Sequence, residues 1–224
     1  MKRSERGGIA PPDAEAGLAA LRDVVDVSRE TEDRLRLYAD LLVKWQPSQN
    51  LVSPATLPDL WRRHIVDSAQ AFALRPDARV WVDLGSGAGF PGLVTAILGA
   101  PHGATVDLME SNAGKAAFLR TVARETGVPV TLHVGRIEEL APKLAAERRF
   151  DVVTARALAP LVTLLGLAKP FLDRGAAALF HKGQDFVSEI ELATQSWGLD
   201  LIEHKSRVDR AGRLLDIRRA VPLS

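Results

Sequence analysis

Val80-Trp81-Val82-Asp83-Leu84-Gly85-Ser86-Gly87-Ala88-Gly89 decides how this chain folds. The first half is apolar except for Asp83 and reads as a short buried strand. The glycines behind it read as a turn built from backbone conformations that side chains disfavour. From Phe90 to Leu98 the chain is apolar again, which predicts a helix. Strand, glycine turn and helix form the opening unit of a parallel α/β sheet, whose ligands bind beyond the carboxyl ends of the strands.

Working outward, the alternation repeats. Strands are predicted at 105–110, 130–134, 150–155 and 176–181, and helices at 113–126, 137–148, 161–172 and 185–197. The last two strands, 199–206 and 214–220, have no helix between them and so form an antiparallel hairpin. Upstream the texture is helical only. Residues 14–27 are weakly helical. Thr31 to Trp45 is a stronger helix with Thr31 as N-cap. Pro47 and Pro54 break the chain, and Leu57 to Leu74 is one further helix. Residues 1–13 read as a flexible tail. The expected division is a tail and helical extension over 1–76 and an α/β domain over 77–224.

Composition narrows the function classes. The chain has no cysteine, which excludes a disulfide framework and Cys-based zinc sites and fits a reducing compartment. No signal peptide and no apolar run of roughly 18 residues is present, so a cytoplasmic protein without a membrane partner is expected. The net charge of +1 means that any nucleic acid must be met by a local basic patch.

The glycine turn admits two cofactor classes. Gly87-Ala88-Gly89-Phe90-Pro91-Gly92 matches the dinucleotide pattern G-x-G-x-x-G. Counted from Gly85, the spacing is G-x-G-x-G, with Asp83 two residues before it. An acid there repels a pyrophosphate and suits the cationic methionine end of S-adenosylmethionine. A dinucleotide site and a tight turn without ligand stay as alternatives. Glu110 ends the second strand, where a carboxylate accepts ribose hydroxyls in either class. Asp83, Gly85, Gly87, Gly89 and Glu110 are therefore cofactor-site candidates, and no metal is expected.

Several further segments, taken together, carry a resemblance. They are Tyr38 through Trp45 with Asn50-Leu51-Val52; Arg63-His64-Ile65-Val66-Asp67-Ser68; Asp83 through Gly92; Lys115 with Phe118-Leu119; Gly135 through Glu139; Phe150 through Ala157; Lys182-Gly183; and Gly212 through Arg219. On these residues the chain resembles the small-subunit ribosomal RNA methyltransferase G family, also called glucose-inhibited division protein B. Gln46 and Gly114 depart from the family pattern.

The resemblance implies a Rossmann-like class I methyltransferase fold: a seven-stranded, mostly parallel sheet with an antiparallel C-terminal hairpin, preceded by N-terminal helices. It implies methyl transfer from S-adenosyl-L-methionine, leaving S-adenosyl-L-homocysteine, to N7 of a guanine in the 530 loop of 16S rRNA. The partner would be 16S rRNA in the 30S subunit or an assembly intermediate, met by a monomer. Gly85 and Phe90 would contact the cofactor, Ile137 and Glu138 would flank its adenine, and Arg156 would sit at the cofactor or the target base.

The residue types agree with that chemistry. Guanine N7 has no proton to lose, so no general base is needed, and none is evident. Without cysteine, methylation at pyrimidine C5 through a thiolate is excluded. Arg156, at the end of the fourth strand, can bond guanine O6 or hold the cofactor carboxylate, or form a surface salt bridge. Arg62, Arg63 and His64 can meet RNA phosphates, or His64 can pair with Asp67. Lys182 can contact the target nucleotide or be solvated. Arg213 belongs to a basic hairpin with Lys205, Arg207, Arg210, Arg218 and Arg219, an RNA contact or a protected edge. Trp45, Trp61 and Trp81 read as core, whereas Phe90 is a loop aromatic beside the cofactor site. A small-molecule methyltransferase and a non-catalytic nucleoside-binding or ribosome-assembly protein remain as other readings.

Overall fold

β1 (Val80–Leu84) is the centre from which the sheet grows in both directions. It pairs in parallel with β2 (Thr105–Glu110) on one side and β4 (Val152–Arg156) on the other. β3 (Val130–Val134) lies outside β2, and β5 (Ala177–Lys182) outside β4. β7 (Arg213–Pro222) runs antiparallel to β5 and pairs with β6 (Trp197–Lys205), giving the order β3-β2-β1-β4-β5-β7-β6. The α/β class and the terminal hairpin are as the sequence predicts. Because the path reverses at β1, a crevice opens at the carboxyl ends of β1 and β4. This computed structural model describes residues 13–223, so the tail expected over 1–13 lies, but for Asp13, outside the described residues.

Two cores flank the sheet. Trp81, Val106 and Leu108 face α4 (Gly92–Gly99) and α5 (Ala113–Thr126). Val82, Leu84 and Met109 face α6 (Ile137–Glu147) and α7 (Leu161–Leu172), with α8 (Phe186–Thr194) beside α7. The alternation along each strand follows from its period of two. α1 (Ala14–Arg22) and α2 (Arg29–Gln49) join the first core, where Leu35, Tyr38 and Leu42 are fully buried together with Phe118.

Three local expectations are corrected. The N-cap of α2 is Ser28, whose hydroxyl accepts the Thr31 N–H at 3.2 Å, so the helix begins before Thr31. Pro47 does not break it; α2 runs on to Gln49 and ends at Asn50 in the left-handed region. Gln46 secures that end, accepting from Val52 N–H and donating to Val52 C=O. The helix predicted over 57–74 is three pieces: a 3-10 turn (Pro54–Asp59), a π-helical turn (Trp61–Val66) and α3 (Asp67–Leu74). The wide turn buries Trp61, Ile65 and Val66 together, and α1 crosses it so closely that a side chain on Gly17 would strike Trp61. π-turns recur at functional sites because they re-aim side chains and carbonyls.

The helical extension is fastened to the far side of the sheet by charge. Arg75, after α3, donates twice to Asp216 on β7, at 2.5 and 2.7 Å, and Asp216 is buried. Arg75→Ala leaves that buried carboxylate with only His204 Nε2, 3.7 Å away, as a basic neighbour among the described residues. We expect a loss of about 3 kcal/mol in urea unfolding; a loss below about 0.5 kcal/mol would show that the pair does not join the two parts.

Candidate active site

Three glycines in the turn after β1 take left-handed angles, with φ of +65° at Gly85, +56° at Gly87 and +98° at Gly89. The end of β2 clamps this turn. Glu110 accepts the Gly87 N–H at 2.7 Å with one oxygen and the Asn112 N–H at 2.7 Å with the other. Tyr38, from α2, donates its hydroxyl to Ala88 C=O at 2.6 Å. The N-terminal extension thus holds the outer side of the turn and the sheet holds its inner side.

Asp83 lies beneath the turn rather than in the crevice. Its Oδ1 accepts the Thr154 hydroxyl at 2.7 Å, and the residue is 1% exposed. Burial pushes its carboxyl up to about 6, against the pull of the Thr154 and Ser86 bonds, the Gly92 N–H and the Arg156 charge. The expectation that Asp83 meets a positive ligand end is therefore corrected: the strand turns its side chain toward β4 and the start of α4. Gly89 is also no wall of the crevice. A side chain there would strike Leu93 and Tyr38, so its smallness serves packing.

Above the turn is a cavity of about 630 Å³, within the range of small-ligand sites. Gly85, Gly87, Phe90, Glu110, Ile137 and Glu138 line it, and Arg156 closes one end. A second cavity of about 840 Å³ lies beside it, with Arg62, Arg63, Lys182, Arg210 and Arg213 in its wall. The two share His64, Arg156 and the segment Ala157–Leu158–Ala159. Ala157 holds φ of +51° at this seam, a strained angle of the kind that collects at functional sites.

The seam is organised around Arg156. Its guanidinium donates to Arg63 C=O at 3.1 Å and to Asp67 Oδ2 at 3.2 Å, contacts His64 Nδ1, and lies 5.1 Å over the Phe90 ring. It is mostly buried, which removes the surface salt-bridge alternative. His64 stacks on Phe90 at 5.0 Å, and its Nε2 lies 2.9 Å from Thr56 Oγ1. Burial, then the charges of Arg156 and Arg63, drive His64 down to about 3. It is neutral near pH 7 and offers no cation to a phosphate, which corrects that expectation. Nor do His64 and Asp67 pair, because Arg156 bonds to both.

Lys182 is not a solvated lysine. Its ammonium donates to Ala159 C=O at 3.0 Å and pairs with Glu189, which also accepts the Leu161 N–H at the start of α7. Arg213 lies 4.7 Å over Phe186 in the wall of the second cavity. Lys205, Arg218 and Arg219 do not line it. Phe90 is both core and wall: it is buried against Tyr38 at 5.3 Å and faces the first cavity. The residue that sequence reasoning missed is Asp67, which it weighed only as a partner of His64.

The model of the family described as rRNA small subunit methyltransferase G matches residues 31–214. A Brucella canis protein named ribosomal RNA small subunit methyltransferase G is 50% identical over 192 residues, covering 85% of this chain and 89% of that one. A protein of the same name from Nitrobacter hamburgensis is 48% identical over 209 residues, covering 93% and 80%. Among solved structures, an O-methyltransferase from Bacillus cereus in complex with SAH superposes with a TM-score of 0.57 at 13% identity, covering 92% and 97%. The O-methyltransferase TomG from Streptomyces achromogenes with SAM gives 0.57 at 16%, covering 98% and 100%. These structures share the fold.

Asp83 also sets a pH dependence. Its pKa is higher in the folded chain than the ordinary 3.8, so the fold holds the proton that the unfolded chain releases. Stability from this group is present at low pH and is lost as pH rises from about 4 to about 6. Asp83→Asn should therefore gain stability over the wild type by up to about 3 kcal/mol at pH 7.5, with the gain gone at pH 4. A variant equally destabilised at both pH values would contradict this.

Proposed function

The chain belongs to the rRNA small subunit methyltransferase G family, and on that premise we propose that it transfers a methyl group from S-adenosylmethionine to N7 of a guanine in 16S rRNA. The observation that carries the reading is the meeting of two cavities at Arg156, one around the glycine turn with Glu110 in its wall and one with Arg62, Arg63, Arg210 and Arg213 in its wall.

The first cavity fits the cofactor. A Cβ on Gly87 would meet only Gly85 C=O, at 3.8 Å, so the turn leaves space that a side chain would fill. Each Glu110 oxygen carries one backbone N–H and keeps a lone pair for a hydroxyl. Ile137 offers an apolar surface to an adenine, with Glu138 at its edge. When bound, S-adenosylmethionine supplies an electrophilic methyl group on a sulfonium.

The chain's own residues then position the base. N7 of guanine presents a lone pair without a proton, so His64, neutral and hydrogen-bonded, has no proton to take. Arg156 faces both cavities and can hold guanine O6 while leaving N7 free. Arg62, Arg63 and Arg213 surround the second cavity with donors suited to phosphates. Lys182, tied to Glu189, adds a fixed cation deeper inside. These basic residues support an RNA substrate, which the proposal takes to be 16S rRNA, alone or in a 30S subunit or its precursor, methylated by a cytoplasmic monomer.

Two measurements test the reading. Labelled cofactor incubated with 30S subunits lacking the modification should transfer label to one guanine, as 7-methylguanine on mapping. Label on a small metabolite, or on another base, would overturn the assignment. Gly87→Val should keep the folded circular-dichroism spectrum and lose cofactor affinity by about 100-fold or more, through added bulk in the cavity and a backbone angle it disfavours. An unchanged titration would remove the turn from the cofactor site.

A further inference from the structure

We propose that Asp67 is the positioning residue that holds Arg156 at the seam; the proposal rests on the reading of Arg156 as the cation facing both cavities. Asp67 is the first residue of α3, directly after the π-helical turn. Its Oδ2 accepts from Arg156 at 3.2 Å. Its Oδ1 accepts from the Ser206 hydroxyl at 3.2 Å and from Gln70 Nε2 at 3.1 Å. Its backbone C=O lies 3.0 Å from His181 Nε2 on β5. Gln70 in turn accepts the Arg207 N–H at 2.8 Å, and Ser206 accepts from Val208 N–H and Asp209 N–H. One carboxylate therefore joins the end of β4, the start of α3 and the turn between β6 and β7.

The physical need for this carboxylate follows from burial. Desolvation lowers the affinity of Arg156 for its proton, and Asp67 is the largest opposing influence, ahead of Tyr38 and Asp83. Asp67 is also the one carboxylate in hydrogen-bond contact with that guanidinium among the described residues. A guanidinium buried without a counter-charge is strongly disfavoured. Without Asp67 it would turn toward water through the second cavity, leaving the Phe90 face and the Arg63 carbonyl. The π-helical turn contributes by presenting that carbonyl and His64 to the same group. Asp67 needs no contact with cofactor or RNA to act in this way. Its grip on Ser206 places the hairpin turn, which carries Arg210, in register with Arg156.

The test combines turnover with a signal from Arg156 itself. Methyl transfer to rRNA is measured for the wild type, Asp67→Asn and Arg156→Gln, and arginine side-chain NMR spectra are recorded for each. The hindered guanidinium signal of Arg156 is identified by its loss in Arg156→Gln. Asp67→Asn is expected to lose the same signal and to lower kcat by about 10- to 100-fold, with KM for RNA changed less than about threefold. Persistence of the signal, or a kcat within about threefold of the wild type, overturns the proposal and leaves the reading of Arg156 intact. Full activity of Arg156→Gln would instead remove that reading, and the proposal with it. If Asp67→Asn does not fold, Asp67→Ser removes the same charge at a helix start and is judged by the same two results.

Discussion

The Gly87 N–H held by Glu110 fixes the one segment that the rest of the site is built around. The turn needs left-handed angles at three alternating residues; within it Gly89 N–H donates to Ser86 C=O at 2.6 Å and the Ser86 hydroxyl to Asp83 C=O at 3.1 Å. Contacts from neighbouring elements add to these. Glu110 holds it from β2, Tyr38 from the helical extension, and the Leu158 side chain would strike any Cβ on Gly85, at 2.6 Å. Asp83 and Thr154 fasten the strand underneath. The turn is therefore set before a ligand arrives, and ordering it need not be drawn from binding. The same contacts explain why an extension with no strand of its own is part of the site: Tyr38 reaches the turn, and the π-helical segment reaches Arg156.

The second organising element is a buried charge. Arg156 is desolvated, stacked on Phe90 and bonded to a carbonyl, a carboxylate and a neutral imidazole. In such a setting a guanidinium acts more strongly on nearby polar groups than in water. The depressed His64 pKa follows from the same neighbour. The arrangement suits a reaction that needs alignment rather than a proton carrier. The cavities differ in degree: Glu110 and Glu138 line the first together with Lys115 and Arg136, and Arg62, Arg63, Arg210 and Arg213 line the second together with Asp59 and Asp209.

Much of this was legible in the sequence. Seven strands, the hairpin and most helices follow from the apolar periods, and Gly85, Gly87, Phe90, Glu110, Ile137, Glu138 and Arg156 do meet in one cavity. What was not legible depends on direction or on distant partners. The string does not say to which side Asp83 points, and an acid before a glycine turn invites a ligand role. Lys182 looks solvated until Glu189 is brought beside it by α8. Ser28 and Thr31 are equally good caps on paper. Asp67 draws its partners from β4, β5 and the hairpin turn, so no local pattern marks it as a hub.

On our proposal the glycine turn and Glu110 form a preset cradle for an adenosyl group. A crystal structure with S-adenosylhomocysteine bound tests it most directly. The ligand should occupy the cavity between Gly87 and Ile137, its ribose hydroxyls on Glu110, with the turn and Arg156 where they already stand. An adenosyl group lodged in the arginine-rimmed cavity, or a turn that must be rebuilt to admit it, would contradict the account.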